Sequence, residues 1–237
     1  MRKKEVVSMR KYAALAVSLL VAFVLLAASS AKADELKLTV GSNTLYVLGV
    51  GGLADYSNPN FHGWNLDIVF GISKSPTLDP YGLRLGTITA TCVYATPCTN
   101  KPLDIYLSDT GFTESVSSFV NGYTATDTGG GSTTQYAWVD TANMLFGEAT
   151  PIGTLGVGPF TGAGVFASSV TGGGPAGPDA YSLTIEDIFT NPNRVSASFG
   201  ADGDILSVET PEPVSMLLMG TFLSLAGGLL SKKKRAL

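Results

Sequence analysis

Trp64-Asn65-Leu66-Asp67-Ile68-Val69-Phe70-Gly71-Ile72 sets Trp64, Leu66, Ile68, Phe70 and Ile72 on alternate positions, with Asn65, Asp67 and Gly71 between them. A period of two is the pattern of a strand with one face buried and the other wet. Outward from this stretch the pattern recurs. Ile88, Ala90, Cys92 and Tyr94 share one face against Thr87, Thr89 and Thr91, and Leu103, Ile105 and Leu107 oppose Asp104, Tyr106 and Ser108. Tyr181, Leu183 and Ile185 oppose Ser182, Thr184 and Glu186, and Val195, Ala197 and Phe199 follow the Asn-Pro-Asn turn at 191–193. Two further strands are expected near 119–124 and 135–139.

Between residues 34 and 209 no stretch has the i, i+3, i+4 apolar spacing of a helix, and most of the chain's 28 glycines, with abundant Thr and Ser, lie there and favour turns and sheets. Alternating strands with one polar face bury the other against a second layer, and without crossover helices the strands must pair antiparallel. The expected fold is all-β, a single antiparallel β-sandwich over residues 34–209, with jelly-roll and immunoglobulin-like topologies both open. Gly129-Gly130-Gly131-Ser132 and the Gly- and Pro-rich run at 171–178 read as mobile surface loops.

Both ends carry a different pattern. Arg2, Lys3, Lys4, Arg10 and Lys11 precede an apolar run at 12–28, and Ala31-Lys32-Ala33 offers the small residues a signal peptidase reads. Residues 1–33 are therefore expected to be a helical secretory signal peptide, cut after Ala33. At the other end Pro211-Glu212-Pro213 is followed by an apolar run at 214–230 and then Lys232, Lys233, Lys234 and Arg235. That run suits a short transmembrane helix whose basic end stays cytoplasmic. In order and position these features of 210–237 resemble the PEP-CTERM sorting signal, a motif also labelled the C-terminal domain of ice-binding proteins. The resemblance implies delivery across the inner membrane to an exosortase-type membrane protease that cuts near the triplet, with anchoring by the C-terminal helix until then. It further implies an association with exopolysaccharide and biofilm. It implies no chemistry for the body.

The charge is divided between these parts. The chain has Lys+Arg 15 and Asp+Glu 19, yet residues 34–209 retain only Lys37, Lys74, Arg84, Lys101 and Arg194 against seventeen carboxylates, a net charge of −12. So acidic a body repels phosphate backbones and anionic headgroups, which argues against nucleic acid as a partner. Cys92 and Cys98 are the two cysteines, an even number in an exported chain, with turn-forming Pro97 between them. A structural disulfide closing a short loop is expected, contributing about 2 kcal/mol.

Several short motifs resemble sites. Asp109-Thr110-Gly111 and Asp127-Thr128-Gly129 match the triplet of aspartic proteases, but they lie eighteen residues apart, and Asp-Thr-Gly is also an ordinary turn. Gly49-Val50-Gly51-Gly52-Leu53-Ala54 fits a dinucleotide fingerprint, yet Tyr56-Ser57-Asn58-Pro59-Asn60 allows no helix after it, so a Gly-rich turn is expected. His62 is the sole histidine and reads as a surface loop residue, which leaves no His-rich zinc site. Asp202 and Asp204, and separately Asp140 beside Asn143, offer oxygen ligands for a weak calcium site, although Asp-Gly-Asp also suits a turn. Thr87, Thr89 and Thr91 form a hydroxyl row, and an exposed Tyr106 suits a sugar platform.

These readings describe an exported cell-envelope or extracellular-matrix protein that needs no cofactor and performs no catalysis. An alternative is a secreted carbohydrate-binding module, calcium-assisted. A third is a hydrolase using carboxylates that the sequence does not place.

Overall fold

The computed structural model describes residues 34–73, 82–92, 98, 101–157, 163–174, 176–177, 179–191 and 196–209. The signal residues Ala31 and Ala33, the sorting residues Pro211, Glu212, Pro213, Lys232, Lys233, Lys234 and Arg235, and Tyr94, Pro97 and Val195 lie outside them. No helix among the described residues is long and apolar enough to cross a membrane.

The strands are β1 (Glu35–Val40), β2 (Asn43–Leu48), β3 (Leu53–Phe61), β4 (Trp64–Ser73), β5 (Gly82–Cys92) and β6 (Leu103–Phe112), followed by β7 (Val116–Asp127), β8 (Ser132–Asp140), β9 (Thr150–Val157), β10 (Gly164–Gly172), β11 (Tyr181–Thr190) and β12 (Ala197–Glu209). They form two sheets. Sheet I has the order β2-β1-β6-β11-β8-β9 and sheet II the order β10-β7-β12-β5-β4-β3. The pairings within both sheets are antiparallel. The described residues thus form an all-β, two-layer sandwich.

Local chemistry sets the register. Phe61 pairs with Trp64 across a two-residue turn made by His62 (φ 50°) and Gly63 (φ 97°), the pair of positive φ angles that a hairpin twisted with its strands requires. The Asn60 side chain accepts the Gly63 N–H at 3.1 Å and holds that turn closed. His62 is exposed there. The Gly49–Ala54 segment links β2 to β3 across the layers, with the Gly49 N–H donated to the Asp34 carbonyl at 2.6 Å.

Alternation decides what is buried. Trp64 and Leu66 are inside and Asn65 and Asp67 outside; Ile88, Ala90 and Cys92 are inside with Thr89 exposed. The aromatic centre joins both layers: Phe199 of β12 lies 5.9 Å from Trp64 and 5.5 Å from Phe189 of β11, ring centre to ring centre. Cys92 and Cys98 are disulfide-bonded and buried.

The glycine run after β7 departs from the expected mobile loop. Asp127 accepts the N–H groups of Gly129 (2.9 Å) and Gly131 (2.7 Å), so its carboxylate closes a tight, partly buried turn. The signal for that outcome is Asp127 itself, an Asx residue placed to collect the amides that follow it.

Candidate functional site

Each sheet turns one face to solvent, and the two faces differ in chemistry. On sheet I, register places Tyr46 (β2), Lys37 (β1), Tyr106 (β6), Glu186 (β11) and Tyr136 (β8) in one row across five strands. Trp138 lies two residues beyond Tyr136 on the same face, and their rings stack at 5.6 Å and 13°. The Lys37 ammonium sits 3.5 Å from the centre of the Tyr106 ring, a cation–π contact.

A strap at 141–149 folds over part of this row. The Phe146 N–H donates to Ser108 Oγ at 2.9 Å, the Ser182 hydroxyl donates to the Met144 carbonyl at 2.6 Å, and the Gly111 N–H donates to Asn143 Oδ1 at 2.7 Å. These bonds bring the Phe146 ring 6.1 Å from Tyr46 and 6.2 Å from Tyr106. Asn143 (φ 58°) and Phe146 (φ 56°) both sit in the left-handed region, a strain accepted where the surrounding bonds enforce it.

The row is also electrically loaded. Burial pushes the Glu186 carboxyl above its ordinary range; a hydrogen bond from the Tyr106 hydroxyl opposes this, Asp104 and Glu148 add to it, and Lys37 opposes it. Tyr106 is raised in turn, first by burial and then by its bond to Glu186. Burial likewise raises Asp104, against the pull of Lys37. A largely buried acid between two tyrosines, next to a stacked Tyr–Trp pair, combines ring surfaces with hydrogen-bonding groups, as a polyhydroxylated ligand requires.

The outer face of sheet II is a field of small polar groups. Register aligns Asp67, Thr89, Gly200 and Thr126 from β4, β5, β12 and β7, with Asn65, Thr91 and Ser198 in the adjacent row. A shallow depression of about 290 Å³ is lined by Thr87, Thr89, Thr124, Thr126, Gly200 and Asp202. A second, of about 560 Å³, is lined by Arg84, Gly122, Thr124, Ser168, Ser169, Asp202 and Asp204. Thr87 has φ 49°, an unusual conformation for a β-branched residue, and lies at an irregularity in the β5–β12 ladder.

The three calcium candidates separate here. Arg84 grips Asp202 with two parallel bonds, Nε to Oδ1 at 3.1 Å and Nη2 to Oδ2 at 2.6 Å. Burial raises the Asp204 carboxyl, Asp202 adds to the shift, and Arg84 and the Gly122 N–H oppose it. Asp140 lies at the end of β8 in the other sheet, where its Oδ1 accepts the Ala142 N–H at 2.8 Å and opens the strap. Among the described residues no three His, Cys, Asp or Glu side chains gather as a metal group.

The two Asp-Thr-Gly triplets are also apart. Asp109 is buried within β6 of sheet I and accepts the Ser73 hydroxyl at 2.5 Å and the Thr110 N–H at 2.7 Å. Asp127 ends β7 of sheet II and holds the glycine turn. Only the second triplet sits at a turn; the first lies inside a strand, where Asp109 ties β6 to β4 of the other sheet.

Alternation in the sequence places Tyr106 and Glu186 opposite the apolar faces of their strands but leaves Tyr136, Trp138 and Phe146 unassigned. Tyr136-Ala137-Trp138 carried a usable signal, two large aromatics flanking a small residue on one strand face.

No family model matches the chain, and no curated protein matches it. Solved structures to which the chain bears a distant similarity include TmCBM61 in complex with β-1,4-galactotriose, at 6% identity over 73% of this chain and 88% of that one (TM-score 0.32). Another is the family 11 carbohydrate-binding module of a Clostridium thermocellum cellulosomal cellulase, at 10% identity over 69% and 92% (TM-score 0.32). A third is the enzymatically active domain of bacteriophage CBA120 tailspike protein 4, at 12% identity over 64% and 21% (TM-score 0.33). With TM-scores this low, the reading of function rests on the residues of this chain.

Proposed function

We propose that residues 34–209 form a non-catalytic carbohydrate-binding sandwich that works outside the cytoplasm, in contact with exopolysaccharide at the cell envelope. The observation that carries this is the Tyr46–Lys37–Tyr106–Glu186–Tyr136 row with Trp138 beside it. Aromatic edges and faces cover the C–H surfaces of a sugar ring, while Glu186, Lys37 and Asp104 supply acceptors and a donor for its hydroxyls. The net charge of −12 over 34–209 favours neutral glycans over polyanions.

Delivery belongs to the same proposal. Residues 1–33 act as the export signal and 210–237 as the sorting signal, the latter read by an exosortase-type protease near Pro211-Glu212-Pro213. Mass determination of the protein's ends after fractionation of the host tests this: new termini following Ala33 and near Pro211 are expected, and an untrimmed chain in the cytosol overturns it.

For binding, the test is a glycan array probed with the protein with and without calcium, followed by titration of any retained sugar. Retention of one neutral class at micromolar strength, lost in Tyr136→Ala and Trp138→Ala, is expected. Silence across the array, or retention untouched by both substitutions, overturns the carbohydrate reading.

A further inference from the structure

A strand at the edge of a sheet turns a row of backbone N–H and C=O groups outward, and native proteins blunt such rows with charge, proline, bulges or a covering element. Of the edge strands β2, β9, β10 and β3, all but β2 are blunted. β3 carries Asp55 and Pro59 and slips register twice against β4. β9 carries Pro151 and a register shift. It also closes on β10: Gly172 lies against the Ile152 carbonyl and Gly153 against the Val170 side chain, with no room for a Cβ at either.

β2 has none of these devices. It contains no proline, pairs with β1 without a register shift, and lies in a stretch from Gly41 to Ala54 that holds no Asp, Glu, Lys or Arg. Among the described residues no strand pairs with its other side. Large apolar side chains are exposed along it, Tyr46 at 56% and Leu48 at 72%, and Val50 and Leu53 continue the patch. The strap adds exposed Met144 and Leu145 where Phe146 meets Tyr46.

The ladder fixes which residues face outward. The Gly49 N–H donates to the Asp34 carbonyl, which makes 34 and 49 a hydrogen-bonded pair, and antiparallel alternation gives the same status to 36 with 47 and 38 with 45. Thr44, Tyr46 and Leu48 occupy the intervening pairs, so their N–H and C=O groups point to the open side. Their side chains stand on the outer face of sheet I, whereas Leu45 and Val47 pack against the core.

We propose that two copies of the chain pair through β2, antiparallel, about a two-fold axis at Tyr46. In that register Tyr46 faces its counterpart and Thr44 faces Leu48, so the outward groups of these residues all gain partners in both strands. Charge selects a second copy as the occupant. A net charge of −12 over 34–209 makes like bodies repel, and the uncharged edge is where that repulsion is weakest. Because the contact is isologous, it closes at two copies instead of growing into a fibre. Sheet I then runs through both copies, and its outer rows meet at Tyr46. The pairing does not depend on the carbohydrate reading.

The test uses the full chain in mild detergent, with its mass read by sedimentation velocity after correction for bound detergent. A dimer is expected at micromolar concentration. Leu48→Lys sets a charge in the contact and should raise the dissociation constant at least about tenfold, with the circular dichroism of the unaltered chain retained. Cys92 and Cys98 are bonded to each other, so a thiol added to the chain reports on its own position. Tyr46→Cys should form a covalent dimer under mild oxidation. Thr44→Cys and Leu48→Cys should do so when mixed and not separately, because in this register each faces the other. If Tyr46→Cys itself weakens the pairing, that mixture decides. A chain that stays monomeric at ~100 µM overturns the proposal. So does a dimer that Leu48→Lys leaves intact, which the apolar run at 214–230 would then hold. Thr44→Cys cross-linking to itself as well as to Leu48→Cys overturns the two-fold at Tyr46 and the proposal with it.

Discussion

The outer faces of sheet I and sheet II rest on the same alternating backbone and carry opposite chemistry. On sheet I, long side chains bury one another: the Lys37 ammonium lies on the Tyr106 ring, Glu186 is wedged between tyrosines, and Phe146 is strapped across them. On sheet II the side chains are short, the centre of the face is Gly200, and Arg84 is already paired with Asp202. Inward residues must fill a layer about 10 Å thick and have little freedom; outward residues are constrained mainly by solubility, so binding chemistry is free to differ there.

The largest effects should show where the faces do not matter. Phe189→Ala under sheet I and Phe199→Ala under sheet II each remove a ring from the shared centre and should cost a similar ~3–5 kcal/mol in urea unfolding. A much smaller loss for one of them would mean that the layers do not share a single core.

Binding should separate the faces next. Tyr136→Ala or Trp138→Ala is expected to weaken glycan affinity at least about tenfold, whereas Thr89→Ala or Thr126→Ala should stay within about twofold by calorimetric titration. The reverse ranking would move the site to the hydroxyl face of sheet II.

Smaller still is a pH effect. The folded Glu186 carboxyl holds its proton more tightly than the unfolded one, whose ordinary value is 4.5, so this contribution is complete below that pH and is lost as pH rises through the folded value. Glu186→Gln should therefore melt with the unaltered protein near pH ~4 and above it near pH ~8. Asp204→Asn on sheet II should show the same sign, because burial raises that carboxyl too, against Arg84 and the Gly122 N–H. The smallest effect is expected from Arg84→Ala, about 0–1 kcal/mol, since the pair it breaks is partly exposed.

How much of this was legible follows from range. Strands β4, β5, β6, β11 and β12 showed themselves because inward and outward residues alternate within a few positions, and the disulfide because two cysteines lay six residues apart. Edge strands β3, β9 and β10 did not: Pro59, Pro151 and the runs of Gly and Ser blur the alternation, and an edge has less to bury. The row on sheet I was illegible for another reason. Tyr46, Lys37, Tyr106, Glu186 and Tyr136 come from five strands scattered between residues 37 and 186, and only strand order makes them neighbours. The burial of Asp187 was passed over because Glu186-Asp187 looks like any hydrophilic pair, although alternation from Leu183 and Ile185 places the second of them inward.

The last described strand is also a mechanical element. β12 runs thirteen residues and is hydrogen-bonded to β5 on one side and β7 on the other, in the middle of its sheet. Tension applied to the chain beyond Glu209 is thus delivered along a central strand, where two ladders resist in shear together instead of unzipping bond by bond. A body tethered at that end would yield to drag as a whole, late and abruptly, and would hold its shape until then.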